Sequence, residues 1–543
     1  MKTNLAILLF SLTPVFATTA SLPALAASPA GTVTRQRANA AIFPAFSKTS
    51  PGQNLALAIA DRAGSELLAT GNFNCFHLKQ IFSMARSHHL TSEDLASKDR
   101  AESAARVLGA ECGAFGTIER GESGGWQLEF SVFDLHAKKS THASLALPDD
   151  AAKAVRQGGR AIAGAIASLY EDTLAENVPL HPETVSAEAM DAYLECYRVI
   201  INQPLGLRKS HVISHGLLVQ ARRDCLMAVK ADPDFGAAWA ALSLVYSLSF
   251  NKDDAARALK HAEASKGYLA YEPIADYWWK TRFKGSPAGA AVLAKAVADF
   301  PGALLFLVYH GEHLNITRDY DKALASWDRY LKMVPTSSYA MAQKGYSLAR
   351  LARMNESITL TTQACRLDPD DMELKLELAS RLVDAGQLKG AESILQPLSR
   401  DKQVFGEVLL RLGYVYLLQG RNDEAERLLE NALKISTGPN EWRTRGRTRY
   451  DLAIVMARKG RLDEAEKHLL DAEWEGFMFK EVLKNNVDLQ ALADRPKLSH
   501  LFTQEAPLHR KLRLSTTPFP VDYSGQIVPD KKRTPPSMTG VSF

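Results

Sequence analysis

The chain is poor in cysteine and in aromatic residues, and its charges nearly cancel. Its five cysteines include no Cys-x-x-Cys pair and no Cys/His cluster at zinc spacing, so dithiol redox catalysis and a structural zinc site lack their ligands. Lys and Arg number 65 against 61 Asp and Glu. Because the charges nearly balance, the net charge of the chain does not favour binding to nucleic acid or to an anionic membrane. Aromatic residues make up 8%, which together with the Ala-rich stretch 151–168 favours close helix packing over a β-rich enzyme.

Long apolar runs are also missing beyond the amino-terminal residues, where a spanning helix would need about 20 such residues. The apolar run Leu5–Leu12, extended through Val15 and Phe16, precedes Ala24-Leu25-Ala26, the small-x-small pattern that signal peptidase accepts. We therefore expect a signal peptide over 1–26 and a soluble mature protein that is periplasmic or exported. The alternative is a retained anchor, which Pro14 disfavours because it interrupts the run, and no cysteine follows the cleavage site to accept a lipid.

The carboxy-terminal residues 504–543 have little apolar content and contain six prolines. No helical or strand period is maintained through so many prolines. The sequence predicts an extended, disordered tail, whose excess of basic residues leaves contact with an acidic partner as an alternative.

Residues 37–175 alternate between strand and helix patterns. A short apolar strand at 40–46 and a helical stretch to about residue 69 are followed by a strand at 73–78 and a helix at 97–108. Strands at 113–120, 126–135 and 142–147 form a meander, and an Ala-rich helix covers 149–170. This order resembles the TolB amino-terminal-like α/β domain that precedes repeats in many bacterial proteins, with Ile42-Phe43-Pro44-Ala45-Phe46 as its opening strand. The resemblance implies a non-enzymatic interaction domain.

Two motifs in this domain have a possible catalytic or metal-binding interpretation. Gly121-Glu122-Ser123-Gly124-Gly125 matches the G-x-S-x-G nucleophile pattern, which requires a strand-to-helix turn. Both flanks here are predicted strands, so we interpret the motif as a β-hairpin turn in which Ser123 is not catalytic. The pair His88-His89 is interpreted as a solvated loop, because no carboxylate or thiolate stands at ligand spacing.

From residue 233 onward the sequence repeats with a period of 34 residues. Gly311, Gly345, Ala379 and Gly413 recur at this spacing. Helix-turn-helix units of this length stack into a solenoid because a single pair cannot bury its apolar face. The pattern, with the clear unit Trp239-x-x-Leu242-Ser243-x-x-Tyr246, resembles the tetratricopeptide repeat (TPR) family. The sequence thus predicts a mainly α TPR α-solenoid of seven to eight helix pairs over 186–503, with a capping helix at 479–502 and the small α/β domain in front.

In that family the first helix of each repeat lines a peptide groove. Counting along each unit identifies side chains that line this groove, and eight of them are our candidate anchors. They are Glu312, Tyr346, Arg350, Leu410, Tyr414, Arg447, Tyr450 and Arg458. Tyr and Arg are frequent in binding hot spots, and we expect Tyr414 and Arg447 to be replaceable without loss of stability. The Lys and Asn set of the chaperone-type carboxylate clamp is absent. The basic run 443–449 is either a dock for an acidic segment or a solvated face.

An oxidising compartment would allow the cysteines to pair. Spacing alone does not fix the pairing, but Cys196 and Cys225 face each other across one predicted helix pair, and Cys75 and Cys112 lie in the α/β domain. We expect a disulfide between Cys196 and Cys225 and a second between Cys75 and Cys112, with one cysteine left over.

These features together favour a non-catalytic envelope scaffold that binds other envelope proteins or their peptide segments through its groove. Paired carboxylates, a nucleophile with a base, a phosphate loop and a metal set on suitable structure are all missing from the sequence, so we expect neither an enzyme nor a bound cofactor. Two alternatives stay open: a structural component of a secretion or polysaccharide-export assembly, and an accessory in envelope carbohydrate processing.

Overall fold

The computed structural model describes residues 37–121, 124–174, 184, 186–201, 215–265, 272–400, 406–438, 441–477, 483 and 486–502. The proposed signal peptide, Ser123 and the carboxy-terminal tail lie outside these ranges. A small α/β region comes first and pairs of helices follow it. The predicted fold class, an α-solenoid preceded by an α/β unit, is therefore confirmed.

The α/β region is built on a five-stranded sheet in the order β2-β1-β3-β4-β5. Its strands are β1 (Ala38–Ile42), β2 (Phe73–Cys75), β3 (Cys112–Arg120), β4 (Trp126–Asp134) and β5 (Lys139–Leu147). Its helices are α1 (Ser50–Thr70), α2 (Leu78–Ser87), α3 (Ser92–Leu95), α4 (Lys98–Leu108) and α5 (Ala151–Leu169). Strand β1 runs parallel to β2 and β3, while β3, β4 and β5 form the predicted antiparallel meander.

Helices α1 and α5 pack closely against each other. Thr49 caps α1 by accepting a hydrogen bond from the backbone N–H of Gly52, at 3.3 Å. The close approach depends on small residues of α5, because a Cβ atom placed on Gly159 would lie 2.4 Å from Cγ of Arg62. The pairing explains why α5 is rich in alanine and glycine.

The G-x-S-x-G segment joins two antiparallel strands, as predicted. Arg120 pairs with Trp126 at the end of the ladder, and the Gly121 N–H donates to the Gly125 carbonyl at 2.9 Å. Strands on both flanks are the geometry of a hairpin, whereas a nucleophile elbow leads from a strand into a helix.

In the described part of the chain, the helices that follow form eight consecutive pairs. We call the first helix of each pair the A helix and the second the B helix. The A helices are α6 (Ala187–Ile201), α8 (Gly236–Leu248), α10 (Glu272–Lys284), α12 (Leu304–Ile316), α14 (Ser338–Arg350), α16 (Met372–Asp384), α18 (Gly406–Leu418) and α20 (Trp442–Arg458). The B helices are α7 (His215–Ala231), α9 (Lys252–Ala264), α11 (Ser286–Asp299), α13 (Tyr320–Met333), α15 (Met354–Leu367), α17 (Leu388–Leu398), α19 (Asn422–Ile435) and α21 (Leu462–Trp474).

The small residue that marks the sequence period lies where the A helix touches its B helix. A Cβ atom on Gly311 would lie 2.6 Å from the ring of Trp327, and one on Gly413 would lie 2.8 Å from Cγ of Leu429. Since real Cβ atoms do not approach so closely, the 34-residue period follows from the contact between the two helices.

A second feature has the same period, in the turn from A helix to B helix. The backbone has positive φ at Arg318, Ala352, Gly386 and Gly420, with values of 65°, 60°, 72° and 76°. Left-handed backbone ends a helix, and glycine adopts it at the least cost. Two of these turns therefore have a non-glycine residue where glycine would be less strained.

The α/β region contacts the solenoid along the turns that lead from one B helix to the next A helix. The Cys75 N–H donates to the Gly302 carbonyl at 3.1 Å, so the edge of β2 is extended by the turn after α11. Asn39 donates from Nδ2 to the Met333 carbonyl at 2.8 Å, and Gln80 donates to the Tyr330 hydroxyl at 3.1 Å. These contacts join strands β1 and β2 and helix α2 to the third and fourth helix pairs.

The same interface continues to the fifth pair through His88. Its Nε2 lies 3.0 Å from Oδ2 of Asp368, at the end of α15. The His88 side chain is only 12% exposed, so the interpretation of His88-His89 as a solvated loop is wrong for His88. The surrounding segment also forms helices α2 and α3, which the sequence pattern did not predict. The capping residue of α2 is His77, and histidine is not a usual helix-capping signal.

The carboxy-terminal cap is not one helix over 479–502. Where the chain is described, it consists of a 3-10 helix (Val487–Leu492) and a short helix α22 (Ser499–Phe502). Pro496 lies between them and prevents a continuous helix. Leu489 is fully buried, so the segment still covers the end of the solenoid. Among the described helices, none combines the length and the apolar character that crossing a membrane requires.

Candidate functional site

The candidate site lies on the A helices of the last four pairs. We call it the A-helix face and define it by Tyr346, Arg381, Arg411, Tyr414 and Arg447. Each arginine of this set contacts the preceding A helix: Arg381 of α16 reaches α14, Arg411 of α18 reaches α16, and Arg447 of α20 reaches α18. The face is therefore a continuous polar strip across successive repeats.

Stacking of arginine on tyrosine occurs twice along this strip. The Arg381 guanidinium lies 5.4 Å from the ring centroid of Tyr346, and that of Arg447 lies 4.8 Å from the ring of Tyr414. A guanidinium over an aromatic face is attracted by the ring quadrupole. The tyrosines and arginines thus order one another before any ligand arrives.

Arg411 joins the two halves of the strip. Its Nη1 donates to the Leu376 carbonyl at 3.4 Å and to the Ser380 hydroxyl, both on α16. Its ion pair with Glu407 has a distance of 2.9 Å, and Glu407 also accepts a hydrogen bond from Thr444 of α20 at 3.3 Å. One network thereby links three A helices.

The guanidinium of Arg447 forms an ion pair with a buried carboxylate. Its Nε donates to Oδ1 and Oδ2 of Asp451 at 3.0 and 3.1 Å. Asp451 is 0% exposed, whereas the Arg447 side chain is 37% exposed. Burial raises the pKa of Asp451, and the adjacent guanidinium opposes that rise. Within the described residues no hydrogen bond reaches the Nη1 and Nη2 atoms of Arg447. This guanidinium can bind an incoming carboxylate or phosphate group.

Four of the eight predicted anchors lie inside the helix packing. Glu312 and Tyr450 are 1% exposed, Leu410 is 6% and Tyr346 is 8% exposed. Glu312 accepts a hydrogen bond from the Tyr339 hydroxyl, and the Tyr450 hydroxyl accepts one from Asn486 at 3.1 Å. None of these four is open groove surface. Tyr346 is a covered member of the A-helix face, while Glu312 is covered by Tyr339 of the next A helix and Tyr450 by Asn486 of the cap.

Arg350 and Arg458 are more exposed, but both are held by neighbouring groups. Arg350 donates from Nε to the Tyr320 hydroxyl at 3.3 Å. Arg458 donates to Asp488 at 2.9 Å and to the Leu417 carbonyl at 2.7 Å. Arg458 therefore ties the end of α20 to the cap. Of the eight anchors, Tyr414 and Arg447 combine partial exposure with direct contact to each other.

The basic run on α20 is largely neutralised within the chain. Arg445 forms a two-pronged ion pair with Glu475, with both distances at 2.9 Å, and Arg449 pairs with Asp471 at 2.7 Å. Neither alternative for this run, an acidic dock or a solvated face, describes these two residues. They join α20 to the end of its B helix.

Sequence reasoning missed Arg381, Arg411 and Asp451. A signal for them is present in the sequence, since oppositely charged residues stand four apart on three consecutive A helices. The pairs are Glu377 with Arg381, Glu407 with Arg411, and Arg447 with Asp451. Residues at this spacing lie on one face of a helix.

The structure joins Cys196 to Cys225, with their Cα atoms 5.5 Å apart. The second expected bond, between Cys75 and Cys112, is absent, and both thiols are free and buried. Both residues align with Ala40, one on each side of β1. Two strand spacings of about 4.8 Å separate them, which exceeds the Cα separation that a disulfide spans.

Ser–His contacts in the described part of the chain were also not singled out from the sequence. On the exposed side of the sheet, His142 lies 3.2 Å from the Ser131 hydroxyl and 3.1 Å from Glu129. Strand β4 pairs with both β3 and β5, so its backbone N–H groups are used in the sheet and offer no oxyanion hole. In the solenoid, His313 lies 3.0 Å from the Ser286 hydroxyl. His313 is 1% exposed and burial lowers its pKa to about 4, which makes it a packed, uncharged residue.

Residues 405–473 match the tetratricopeptide repeat family. Among solved structures, a tetratricopeptide repeat protein from Parabacteroides merdae is 14% identical, with a TM-score of 0.36 over 48% of this chain and 99% of its own. MamA from Desulfovibrio magneticus is 16% identical, with a TM-score of 0.27 over 31% of this chain and 90% of its own. A TPR protein from Thermus thermophilus is 25% identical, with a TM-score of 0.27 over 30% and 87%. No curated protein matches the chain.

Proposed function

We propose that this protein is a non-catalytic scaffold whose A-helix face captures a segment of another protein. The segment presents an aspartate or glutamate side chain to Arg447 and packs against Tyr414. A repeat architecture supports this role because stacked helix pairs create long surfaces whose side chains are set by a rigid framework.

The observation that carries the proposal is the geometry of Arg447. Its Nε is engaged by the buried Asp451 and its plane rests on Tyr414, 4.8 Å away. A guanidinium fixed in this way loses little conformational freedom when a carboxylate binds to its remaining nitrogens. The half-exposed Tyr414 beside it offers an aromatic surface, and Tyr and Arg are the residue types enriched in binding hot spots.

We also propose that the protein acts outside the cytoplasm, in the periplasm or envelope. The support is the leader pattern at 1–26 and the disulfide between Cys196 and Cys225, a bond that persists in oxidising compartments. Intact-mass analysis of the protein from cells tests this. A mature chain beginning at Ala27 is the expected result, and a chain that retains Met1 contradicts it.

Photo-crosslinking in intact cells tests the binding surface. A photoreactive amino acid replaces Tyr414 on the A-helix face in one strain and Thr359, an exposed residue of the B helix α15, in a control strain. The proposal predicts a protein adduct from position 414 that is absent from position 359. Equal adducts from both positions, or an adduct from position 359 alone, would contradict it.

A further inference from the structure

The described chain ends close to the helix pair that carries Arg447. His500 of α22 lies 3.0 Å from a carboxylate oxygen of Glu473, in the last turn of α21. Helices α20 and α21 pack side by side, and Arg449 in the first half of α20 pairs with Asp471 near the end of α21 at 2.7 Å. The chain therefore continues beyond α22 from the end of this pair that carries Arg447.

Exposed groups continue from the A-helix face toward the cap. Arg458 lies three helical turns beyond Arg447 on α20, so the two share a helix face and are roughly 16 Å apart along it. Arg458 joins the end of α18 to the cap, and two large apolar side chains beside this junction are uncovered. Leu418, one turn beyond Tyr414 on α18, is 42% exposed, and Val487 is 86% exposed. A cation therefore stands at one end of this strip and open apolar surface at the other.

The sequence of the carboxy-terminal tail contains the same groups in the same order. Asp522 is the only charged residue among residues 514–529. Asp530, in contrast, directly precedes the basic run 531–533, whose positive charge opposes an approach to Arg447. Large apolar residues stand on both sides of Asp522. They are Phe519, Val521, Tyr523, Ile527 and Val528.

The spacing within residues 514–529 fits the strip. Two prolines shortly before Asp522 favour an extended backbone, which rises about 3.1 Å per residue. Ile527 follows Asp522 by five residues and would stand about 16 Å beyond it. This distance matches the separation of Arg447 from Arg458 along α20. An acid placed on Arg447 therefore brings the next apolar residues to the open surface beside Arg458.

The tail is long enough to bring Asp522 to Arg447. The 20 residues from Phe502 to Asp522 can span about 60 Å in an extended chain. The path crosses the widths of α21 and α20, roughly 20 to 25 Å in all. Because the segment is tethered to the surface it would bind, its effective concentration there is on the order of 1 mM. A modest intrinsic affinity is therefore enough to keep the segment bound.

We propose that residues 514–529 bind the A-helix face of their own chain and compete there with the partner segment. The carboxylate of Asp522 binds the Nη atoms of Arg447, and the apolar residues that follow it cover Leu418 and Val487. This regulation rests on the proposed function, because both ligands use the same guanidinium. A partner binds only when the tail has left, so its apparent affinity falls with the fraction of chains whose face is open.

Photo-crosslinking of the purified full chain in dilute solution tests this contact. A photoreactive amino acid at position 414 should form an adduct within one chain, and peptide mapping should place the adduct in residues 514–529. Asp522→Arg should abolish it, whereas Asp530→Arg, the same change of charge outside the segment, should leave it intact. The absence of an intrachain adduct, an adduct between two chains, or equal adducts from both variants would overturn the proposal.

Binding of a free peptide provides an independent measurement. A fluorescent peptide of residues 514–529 should bind the full chain carrying Asp522→Arg about threefold or more tightly than it binds the unsubstituted chain, whose own tail occupies the face. Adding Arg447→Ala and Asp451→Leu, which together leave no buried charge unpaired, should abolish this binding. Equal affinity of the peptide for the unsubstituted chain and for Asp522→Arg would contradict occupation of the face by the tail.

Failure of the tail contact and failure of the proposed function give different results. An adduct with another protein at position 414 in cells, without a tail adduct in the purified chain, would overturn the tail contact and leave the proposed function standing. A tail adduct in the purified chain, without a partner adduct in cells even when Asp522→Arg opens the face, would support the tail contact and overturn the proposed function.

Discussion

Arg447 and Asp451 form an ion pair in which one partner is buried and the other is partly exposed. The carboxylate of Asp451 is 0% exposed and accepts from Nε of Arg447 at 3.0 and 3.1 Å. Removing the arginine would leave a buried charge without its counter-ion, which is costly. The expectation from sequence that Arg447 is replaceable without loss of stability is therefore withdrawn.

Replacing Arg447 by alanine should lower the free energy of unfolding by about 1 to 3 kcal/mol, because Asp451 is left unpaired. Arg447→Ala combined with Asp451→Leu should recover most of this loss, since the buried charge is then gone. Urea unfolding of the two variants measures the difference. Equal destabilisation by the single and double variants would show that the ion pair is not the cause.

The helical repeat could be predicted from the sequence because its cause is local. Gly311, Gly345 and Gly413 recur where A and B helices touch, and a side chain at each would clash with the B helix. The meander was predictable for a similar reason, since Trp126, Leu128 and Phe130 alternate with polar residues on one strand. Helix α2 was missed although its buried residues Leu78, Ile81 and Met84 follow a helical spacing, because it has only ten residues and is capped by His77, which is not a usual capping residue.

The candidate site was predictable only in part. Helical position assigned Tyr414 and Arg447 to the same face of successive A helices, and in the structure their side chains contact each other. It did not tell which residues of the same helix face are covered by neighbouring segments, as Tyr450 is by Phe477 and Asn486. The contact between His88 and Asp368 spans 280 residues, and nothing in the local sequence pattern indicates it.

The turns with positive φ give a paired prediction. Gly386→Ala should cost about 1 kcal/mol, because a Cβ atom there meets nothing within 4 Å and backbone strain alone remains. Ala352→Gly, at the same position of the preceding repeat, should cost nothing or stabilise by up to about 1 kcal/mol. Thermal melting of both variants checks the signs, and a loss of stability in Ala352→Gly would contradict the role assigned to these turns.

The disulfide should contribute substantially to stability. Cys196 and Cys225 are separated by 29 residues, and closing a loop of this size stabilises by about 3 to 4 kcal/mol in the chain-entropy treatment. The double Cys→Ala variant should therefore melt at a lower temperature, and reductant should lower the melting temperature of the unsubstituted protein alone.

In a thiol-labelling assay of the folded protein, Cys365 should react before Cys75 and Cys112, which are buried. Rapid labelling of Cys75 or Cys112 would contradict their placement in the sheet.

The contact between the α/β region and the solenoid should depend on pH. The hydrogen bond to Asp368 raises the pKa of His88 above its usual 6.5 against the effect of burial, and Asp371 and Asp370 raise it further. A raised pKa in the folded state means that the stabilisation is fully present below pH 6.5 and is lost as the pH rises through the raised pKa.

His88→Gln should accordingly reduce the melting temperature more at pH 6 than at pH 9. Asp368→Asn should show the same trend, because it removes the other partner. Melting curves across this range measure the effect. A difference between the unsubstituted protein and His88→Gln that does not shrink as the pH rises would contradict the ion pair.

The A-helix face is tested most directly with the protein that photo-crosslinking at position 414 identifies. The measurement is the affinity of that protein for a variant whose fold is intact. The variant carries Tyr414→Ala, Arg447→Ala and Asp451→Leu, so that no buried charge is left unpaired, and Arg449→Ala serves as a basic-residue control on the same helix. We predict binding weakened at least tenfold in the triple variant, about 1.4 kcal/mol or more, and near-normal binding in the control, with both proteins folded. Full-strength binding by the folded triple variant would contradict the assignment of the A-helix face as the binding surface.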